Sequence, residues 1–140
     1  MARIERNVDI KSSPNKIYEI LNDPSHETVW NITVKKNVII TADKFELKTT
    51  VGDMVANVTE RVPGERISFT MEGGPFDKMG YILTPKGDGT DAKIFAEFED
   101  ESRSNVLEVA GEMLLESLRK FAEYKEAGGD IAQFNKKKAK

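Results

Sequence analysis

Few residues of this sequence have the types and spacing that covalent or acid–base chemistry requires. The chain contains one histidine, His26, and no cysteine, which excludes a thiolate nucleophile and a cysteine-ligated metal. A Ser-His-Asp triad would depend on His26, and no Gly-x-Ser-x-Gly elbow is present. His26 could be a general base near neutral pH, although a histidine beside a helix end is also typical of a surface or capping residue. We therefore assign no catalytic residue and predict no cofactor and no metal ion.

Four other polar side chains fall among apolar neighbours. Tyr81 and Trp30 carry a hydroxyl and an indole N–H on large apolar bodies, so they could contact a ligand or be ordinary core aromatics bonded to backbone carbonyls. Arg6 and Glu60 share the strand phase of apolar residues. A buried lone charge is costly, so they should pair, receive a polar ligand group or lie at a strand end near solvent.

Methionines are the main indication of a pocket. Met54, Met71, Met79 and Met113 all fall on faces that we predict to point inward. Methionine adapts to the shape that it packs against and favours aromatic edges, which suits a pocket for a flat or apolar ligand as well as plain core packing. Gly111 lies inside a predicted helix, where it costs about 1 kcal/mol relative to alanine, and could leave room for a ligand or for a side chain of a strand.

The N-terminal segment predicts one strand and two short helices. Residues 3–11 alternate as a strand, with Ile4, Val8 and Ile10 on one face. Ser13 is a good N-cap and Pro14 suits the first helical position, and Asn22-Asp23-Pro24 ends that helix. A second short helix or turn is expected from Ser25 to Trp30.

Residues 34–99 have the pattern of an antiparallel meander. Turn-forming residues interrupt the chain about every ten residues, and apolar residues alternate with polar ones between them. The alternation predicts one apolar sheet face and one wet face. The predicted inward residues are Phe45, Leu47, Thr49, Val51, Met54, Ala56, Val58, Glu60, Val62, Ile67, Phe69, Met71, Met79, Tyr81, Leu83, Ala92, Ile94, Ala96 and Phe98.

Helical periodicity replaces the alternation over residues 102–126. Gly128-Gly129 ends this helix, and the basic residues 128–140 are predicted to form a mobile tail after a single domain at 1–127. The predicted apolar stripe of the helix is Val106, Val109, Ala110, Met113, Leu114, Ser117, Leu118 and Phe121.

The sheet and the helix must each bury an apolar face. The expected fold is α+β: a curved antiparallel sheet of six or seven strands wrapped around the long C-terminal helix, with two short helices closing one end. A cavity between them would be lined by Trp30, Met54, Val58, Phe69, Met71, Met79, Tyr81, Phe98, Ala110, Met113, Leu114 and Ser117.

Composition limits the partners. The net charge is −3, and 32% of the residues are charged with the signs interspersed. The only basic run is at the C-terminus, so nucleic-acid binding is not expected. No apolar stretch is long enough for a membrane segment, the N-terminus does not resemble a signal peptide, and cysteine is missing, so a cytoplasmic location is expected.

Four segments of the chain are informative when taken in order. They are Ser13-Pro14, Asn22-Asp23-Pro24 before Trp30, residues 58–63 leading into 66–69, and residues 83–90. Over residues 3–126 their order resembles the helix-grip superfamily, that is, the START-domain, SRPBCC or polyketide cyclase/dehydrase and lipid-transport group. The resemblance implies a ligand cavity with the loop Gly73-Gly74-Pro75 at its mouth, where it could act as a gate.

The turn at Asp88-Gly89 supports one further prediction. If these two residues form a hairpin turn, Leu83 faces Ile94 and Ile82 faces Phe95 on the outer face of the sheet. Such an outer apolar pair would stabilise the hairpin or mark a homodimer contact.

Three functions fit the pattern. The first is a carrier or sensor that binds a small hydrophobic ligand, lipid-like or aromatic, without bond chemistry. The second is an enzyme of the cyclase or hydratase type in which Tyr81, Glu60 or His26 moves protons. The third is a protein-interaction module. Convergent polar side chains in a closed pocket would favour the enzyme, and an almost wholly apolar pocket would favour the carrier.

Overall fold

A computed structural model describes residues 2–137 of the chain. Within these residues there are three helices, α1 (Pro14–Leu21), α2 (Glu27–Trp30) and α3 (Ser104–Glu126), together with short 3-10 turns at Pro24–His26, Glu101–Arg103 and Ile131–Gln133. None of the helices in this described part is long and apolar enough to cross a membrane. The seven strands are β1 (Ala2–Ile10), β2 (Val34–Thr41), β3 (Lys44–Thr49), β4 (Gly52–Val62), β5 (Arg66–Glu72), β6 (Lys78–Lys86) and β7 (Gly89–Phe98).

The seven strands form one antiparallel sheet in the order β1-β7-β6-β5-β4-β3-β2. Strands β2 to β7 follow one another as a meander, and β1 pairs with β7 from Ala2↔Phe98 to Ile10↔Thr90. The predicted alternation is confirmed over most of the sheet. The predicted inward residues that are buried are Phe45, Met54, Ala56, Ile67, Phe69, Met71, Tyr81, Leu83, Ala92, Ile94, Ala96 and Phe98. The sequence therefore predicts the fold class correctly.

The two short helices form where the capping signals lie. The Ser13 hydroxyl accepts a hydrogen bond from the Lys16 N–H at 3.3 Å, and Pro14 occupies the first helical turn. Asn22 ends α1, and the Asp23 carboxylate accepts a hydrogen bond from the Ser25 N–H as the chain turns toward α2. Because α1 packs on β5, β6 and α3 while α2 packs on β2 and α3, the pair covers one end of the sheet.

Helix α3 buries a face that matches the predicted stripe at Leu114, Ser117, Leu118 and Phe121 but departs from it nearer the start of the helix. It packs chiefly against β1 and β7. Val106, Val109 and Met113 are 55%, 55% and 42% exposed, so their predicted inward positions are wrong. Leucines occur on several sides of this helix, and the pattern alone did not show which side meets the sheet. The buried residues are Leu107, Gly111, Leu114, Leu115, Ser117, Leu118, Phe121 and Ala122.

The predicted β6–β7 register is also wrong. Lys86 pairs with Gly89, so the two turn residues are Gly87 and Asp88, and Gly87 has the left-handed backbone conformation with φ of 58°. Ile82 consequently pairs with Lys93, and Phe95 pairs with Gly80. The Phe95 ring lies over Gly80 and under the Arg3 guanidinium at 4.4 Å, and Phe95 is 6% exposed. The outer apolar pair that motivated a homodimer contact does not form.

The segment after α3 packs on the domain over much of its length, whereas a mobile tail was expected. The Phe134 ring meets the rings of Phe121 and Tyr124 at centroid distances of 5.0 and 5.1 Å. The Lys136 ammonium donates to the backbone carbonyls of Asn31 at 3.1 Å and Val34 at 2.9 Å. The last part of the predicted tail, residues 138–140, lies outside the described residues.

Two glycines test the packing of the sheet and of α3. A Cβ at Gly80 would lie 2.7 Å from the Phe95 ring and 2.9 Å from the Ile67 carbonyl oxygen, whereas one at Gly111 would meet Ile94 and Ile4 at 3.5 and 3.7 Å. We expect Gly80→Ala to lower the free energy of unfolding by roughly 1–3 kcal/mol. Gly111→Ala should raise it by up to about 1 kcal/mol, because alanine favours the helix and fits the space.

Urea denaturation of the two variants and the unmodified protein measures both effects. A Gly80→Ala protein as stable as the unmodified one would contradict the close approach of Phe95. A destabilised Gly111→Ala protein would contradict the free space beside α3.

Candidate functional site

Two adjoining cavities lie under the concave face of the sheet. The α1-side cavity has a volume of about 50 Å³ and extends from the end of α1 across β3, β4, β5 and β6. The α3-side cavity has a volume of about 80 Å³ and lies between α3 and the inward faces of β1 and of β3 to β7. The residues that line both are Glu27, Leu47, Met71, Met79 and Tyr81.

Both cavities are mainly apolar. The phenyl rings of Phe45 and Phe69 line the α1-side cavity, and Phe76 lines the α3-side cavity next to the loop Gly73-Gly74-Pro75. That loop packs on Met54, since a Cβ at Gly74 would lie 3.0 Å from the Met54 Cε. A flexible methionine under a glycine-rich loop can give way to a ligand more easily than a branched side chain can.

Eight of the twelve predicted ligand-binding residues line these cavities. They are Met54, Val58, Phe69, Met71, Met79, Tyr81, Ala110 and Leu114. A ligand-binding role for any of them stays a prediction.

The other four predicted ligand-binding residues lie elsewhere. Met113 is on the exposed side of α3, and Phe98 is fully buried in a cluster with Ile4, Ala96 and Leu107. The Ser117 hydroxyl accepts a hydrogen bond from the Ile32 N–H at 3.3 Å. Trp30 is fully buried, and its indole N–H has no hydrogen-bond partner within residues 2–137. Trp30 is therefore a core aromatic, as one of the two alternatives had it, but without the expected hydrogen bond to a backbone carbonyl of these residues.

Arg6 and Glu60 do not point into the cavities. Arg6 forms ion pairs with Glu108 at 2.8 Å and Glu112 at 2.9 Å on the exposed flank of α3. Glu60 is exposed and pairs with Arg66 at 2.8 Å. The predicted inward position of Glu60 is wrong because a bulge after Val58 shifts the register of β4 and reverses the phase of the following residues.

The same bulge brings Arg61 to the α1-side cavity. Its guanidinium donates to the Asn22 Oδ1 and to the Ala42 carbonyl, each at 2.8 Å, and it pairs with Asp43. The Arg61 guanidinium is therefore already paired. It joins the end of α1 to the β2–β3 turn and so closes the rim of the cavity.

His26 lies outside both cavities. Its Nδ1 is 2.7 Å from the Asp23 carboxylate, and the side chain is 43% exposed. The structure thus places the only histidine at a surface helix end, where it cannot reach a molecule held under the sheet.

Glu27 is the functional candidate that the sequence analysis missed. The residue as a whole is partly exposed, but its carboxyl group is enclosed between the two cavities. Burial disfavours the charged form and raises the pKa of Glu27 to about 7, although the hydrogen bond from Asn31 and the charge of Lys136 partly oppose the rise. An acid with this pKa can hold or release a proton near neutral pH.

Asn31 fixes the Glu27 carboxyl. Its side-chain N–H donates to the Glu27 Oε1 at 2.9 Å across one turn of α2. The Asn31 Oδ1 accepts hydrogen bonds from the Thr33 N–H at 3.0 Å and the Thr33 hydroxyl at 2.6 Å. The spacing of four residues in a predicted short helix was the one available signal for this pair.

Tyr81 places a hydroxyl beside Glu27. It is 4% exposed and pairs with Ile67 on β5 and Ile94 on β7. Burial, followed by the charge of Glu27, raises the pKa of Tyr81 well above its ordinary value, so the phenol stays protonated and can donate a hydrogen bond. No group of three or more His, Cys, Asp or Glu side chains that could hold a metal ion occurs among residues 2–137.

Comparison with known proteins gives a family and a fold. The sequence model of a family described as "Polyketide cyclase / dehydrase and lipid transport" matches residues 1–124. A comparison with curated proteins found no match.

Solved structures share the architecture at low sequence identity. A START superfamily protein from Mycobacterium smegmatis superposes with a TM-score of 0.79 at 16% identity, covering 88% of this chain and 98% of the other. The Aha1 dimer from Colwellia psychrerythraea gives 0.69 at 20% identity, covering 88% and 97%. CalU16 from Micromonospora echinospora gives 0.68 at 19% identity, covering 94% and 81%. At these identities the likeness shows the fold, and it confirms the predicted helix-grip architecture.

Glu27 should make stability depend on pH in a defined window. Its folded pKa of about 7 lies above the ordinary value of 4.5, so the folded state binds more protons than the unfolded state between these values. Stability should therefore fall as pH rises from 4.5 to 7 and then level off, a loss of about 3 kcal/mol at most.

Glu27→Gln should remove this loss, since an amide cannot ionise and can still accept the hydrogen bond from Asn31. We expect the variant to exceed the unmodified protein in stability at pH 8, with little difference at pH 4.5, in urea denaturation at both pH values. Glu19→Gln, at an exposed position of α1, is the control. Equal stability of Glu27→Gln and the unmodified protein at pH 8 would contradict a buried Glu27 carboxyl.

Proposed function

The chain belongs to the polyketide cyclase/dehydrase and lipid transport family, and on this premise we propose that it binds a small hydrophobic ligand in the cavities between its sheet and α3. The observation that carries the proposal is unfilled apolar space. Well-packed protein interiors leave few voids larger than a water molecule. Here two adjoining voids are lined by phenylalanine, methionine and leucine side chains.

The size of the cavities favours an aromatic ligand over a lipid. Pockets that enclose drug-sized molecules have volumes of roughly 300–1,000 Å³. The two cavities measure about 50 and 80 Å³, and together they approach the roughly 150 Å³ that holds a benzene molecule. A single ring fits with small movements of the flexible Met71 and Met79, whereas an acyl chain would require the sheet and α3 to separate.

One observation favours an enzyme as a second candidate. An enzyme of this kind needs polar side chains that converge in the pocket, and Glu27 and Tyr81 line the same two cavities. A carboxyl with a pKa of about 7 could take a proton from a carbon next to a ligand carbonyl and return it, while the Tyr81 hydroxyl donates a hydrogen bond to the carbonyl oxygen. Incubation of a bound ketone in D₂O, with and without Glu27→Gln, would reveal such exchange by mass.

A homodimer is not part of the proposal. The Aha1 protein from Colwellia psychrerythraea is described as a dimer. In this chain, Phe95 is covered by Arg3 and Ile82 lies opposite Lys93, so the outer face lacks the apolar pair from which a dimer was predicted.

Filling the α3-side cavity should weaken ligand binding. Ala110 lines this cavity, so the ring of Ala110→Phe would occupy the space of a bound ring. Val109→Phe introduces the same side chain one residue away at a position that is 55% exposed. We expect Ala110→Phe to weaken binding of toluene or p-cresol by roughly tenfold or more, and Val109→Phe to leave it within about twofold.

Chemical-shift titrations of the methionine methyl groups would measure these affinities. Equal binding by Ala110→Phe and Val109→Phe would contradict a ligand beside α3. Failure of the unmodified protein to bind any single-ring compound would contradict the proposed function.

A further inference from the structure

Three polar side chains, Glu27, Asn37 and Tyr81, lie among the apolar walls of the α1-side cavity. We infer that Glu27, Asn37 and Tyr81, here called the polar subsite, bind a hydroxyl group on the ligand, which makes the ligand an uncharged hydroxylated aromatic ring. The inference rests on the proposed function, because it specifies the chemistry of the molecule held in the same cavities. All three residues line the α1-side cavity.

The side-chain oxygen of Asn37 is a hydrogen-bond acceptor that no donor of the described residues reaches. It lies on β2 opposite Leu47, which also lines the cavity. Its side-chain N–H donates to the Pro24 carbonyl at 2.8 Å, and this bond fixes the orientation of the amide. The Asn37 Oδ1 is buried and has no hydrogen-bond partner within residues 2–137. Buried acceptors are nearly always paired in folded proteins, so this one indicates a donor on a bound molecule.

Glu27 and Tyr81 have unused hydrogen-bonding capacity at the same place. Within residues 2–137, the Glu27 carboxyl accepts one hydrogen bond, from Asn31, and it accepts it at Oε1. The Tyr81 hydroxyl forms no hydrogen bond with that part of the chain, although its ring is buried. A carboxyl and a phenol can each accept or donate, so they can satisfy both the proton and the lone pairs of a ligand hydroxyl.

The charges of the polar subsite exclude other head groups. A carboxylate or phosphate would face the Glu27 carboxyl and the Asn37 oxygen, and the cation at the rim, Arg61, is already bonded to Asn22, Ala42 and Asp43. An ammonium group could donate, but its transfer from water into an apolar cavity costs far more than that of a neutral hydroxyl. A neutral donor therefore fits best.

The walls next to the polar subsite fit a flat ring. Phe45 and Phe69 contribute aromatic faces and edges, and Met71 and Met79 contribute polarisable sulfur atoms. Aromatic and methionine side chains both make favourable contacts with a ring. A phenol combines such a ring with a hydroxyl that can donate a hydrogen bond to the unpaired Asn37 Oδ1.

Isothermal titration calorimetry with p-cresol and toluene tests the inference, since the two probes differ by one hydroxyl. We expect the unmodified protein to bind p-cresol roughly tenfold more tightly than toluene, the effect of one or two well-placed hydrogen bonds. Asn37→Leu should reduce this preference to about twofold or less without weakening toluene binding. The matched control Asn7→Leu, at an exposed position of β1, should leave the preference unchanged.

Tyr81→Phe removes only a hydroxyl and provides a second test if Asn37→Leu does not fold. It should lower the preference for p-cresol at least threefold. A third probe, the anion 4-methylbenzoate, should bind to the unmodified protein more weakly than toluene does, because its carboxylate would face the Glu27 carboxyl and the Asn37 oxygen.

The outcomes separate the two proposals. Equal binding of p-cresol and toluene, tight binding of 4-methylbenzoate, or an unchanged preference in Tyr81→Phe would overturn the polar subsite while leaving a cavity that binds apolar rings. Binding of neither p-cresol nor toluene would overturn both.

Discussion

The structure depends on how little of a curved seven-stranded sheet a single helix can cover. Helix α3 packs against β1 and β7, at one side of the sheet. The inward faces of β3, β4 and β5 lie farther along the sheet, where α3, α2 and the end of α1 face them across the two cavities. Because α3 contacts chiefly β1 and β7 and the short helices carry few apolar side chains, the space over β3, β4 and β5 is incompletely filled, and the two cavities form there.

The same arrangement explains why a carboxyl group is present in an apolar interior. Helix α2 is a single turn whose residues must reach both solvent and the cavities. Trp30 and Glu27 lie one turn apart, and the first fills the core while the second places its carboxyl at the junction of the cavities. Asn31 and Lys136 compensate part of the cost of burial, one by a hydrogen bond and the other by its charge. The C-terminal segment, which brings Lys136 to the carbonyls of Asn31 and Val34, thus also supports the cavity.

Patterns that repeat along the sequence could be predicted, and single departures from them could not. Alternation placed the sheet residues around Met54, Phe69 and Tyr81 correctly because every second side chain of a strand shares a face. It failed at Glu60, since a bulge has no distinct composition and reverses the phase beyond it. The helical pattern gave the wrong side for Met113 because α3 carries apolar residues all around its circumference, and only its packing on the sheet determines which of them are buried.

The residues with the clearest polar roles follow no repeating pattern. Glu27 and Asn37 have charged or polar side chains in a turn of helix and an edge strand, where solvent exposure is the usual expectation. Only tertiary structure brings them beside Tyr81. The apolar wall of the cavity was therefore predictable from the sequence, whereas the polar groups that determine which apolar molecule fits were not.

Native mass spectrometry of the protein purified from its own host tests most directly whether the cavities hold a small aromatic ligand. We expect a native mass that exceeds the 15.7 kDa of the chain by the mass of one ring-sized compound, and loss of that excess on denaturation. A native mass equal to that of the chain, with no uptake from a panel of phenols and unsubstituted rings, would contradict it.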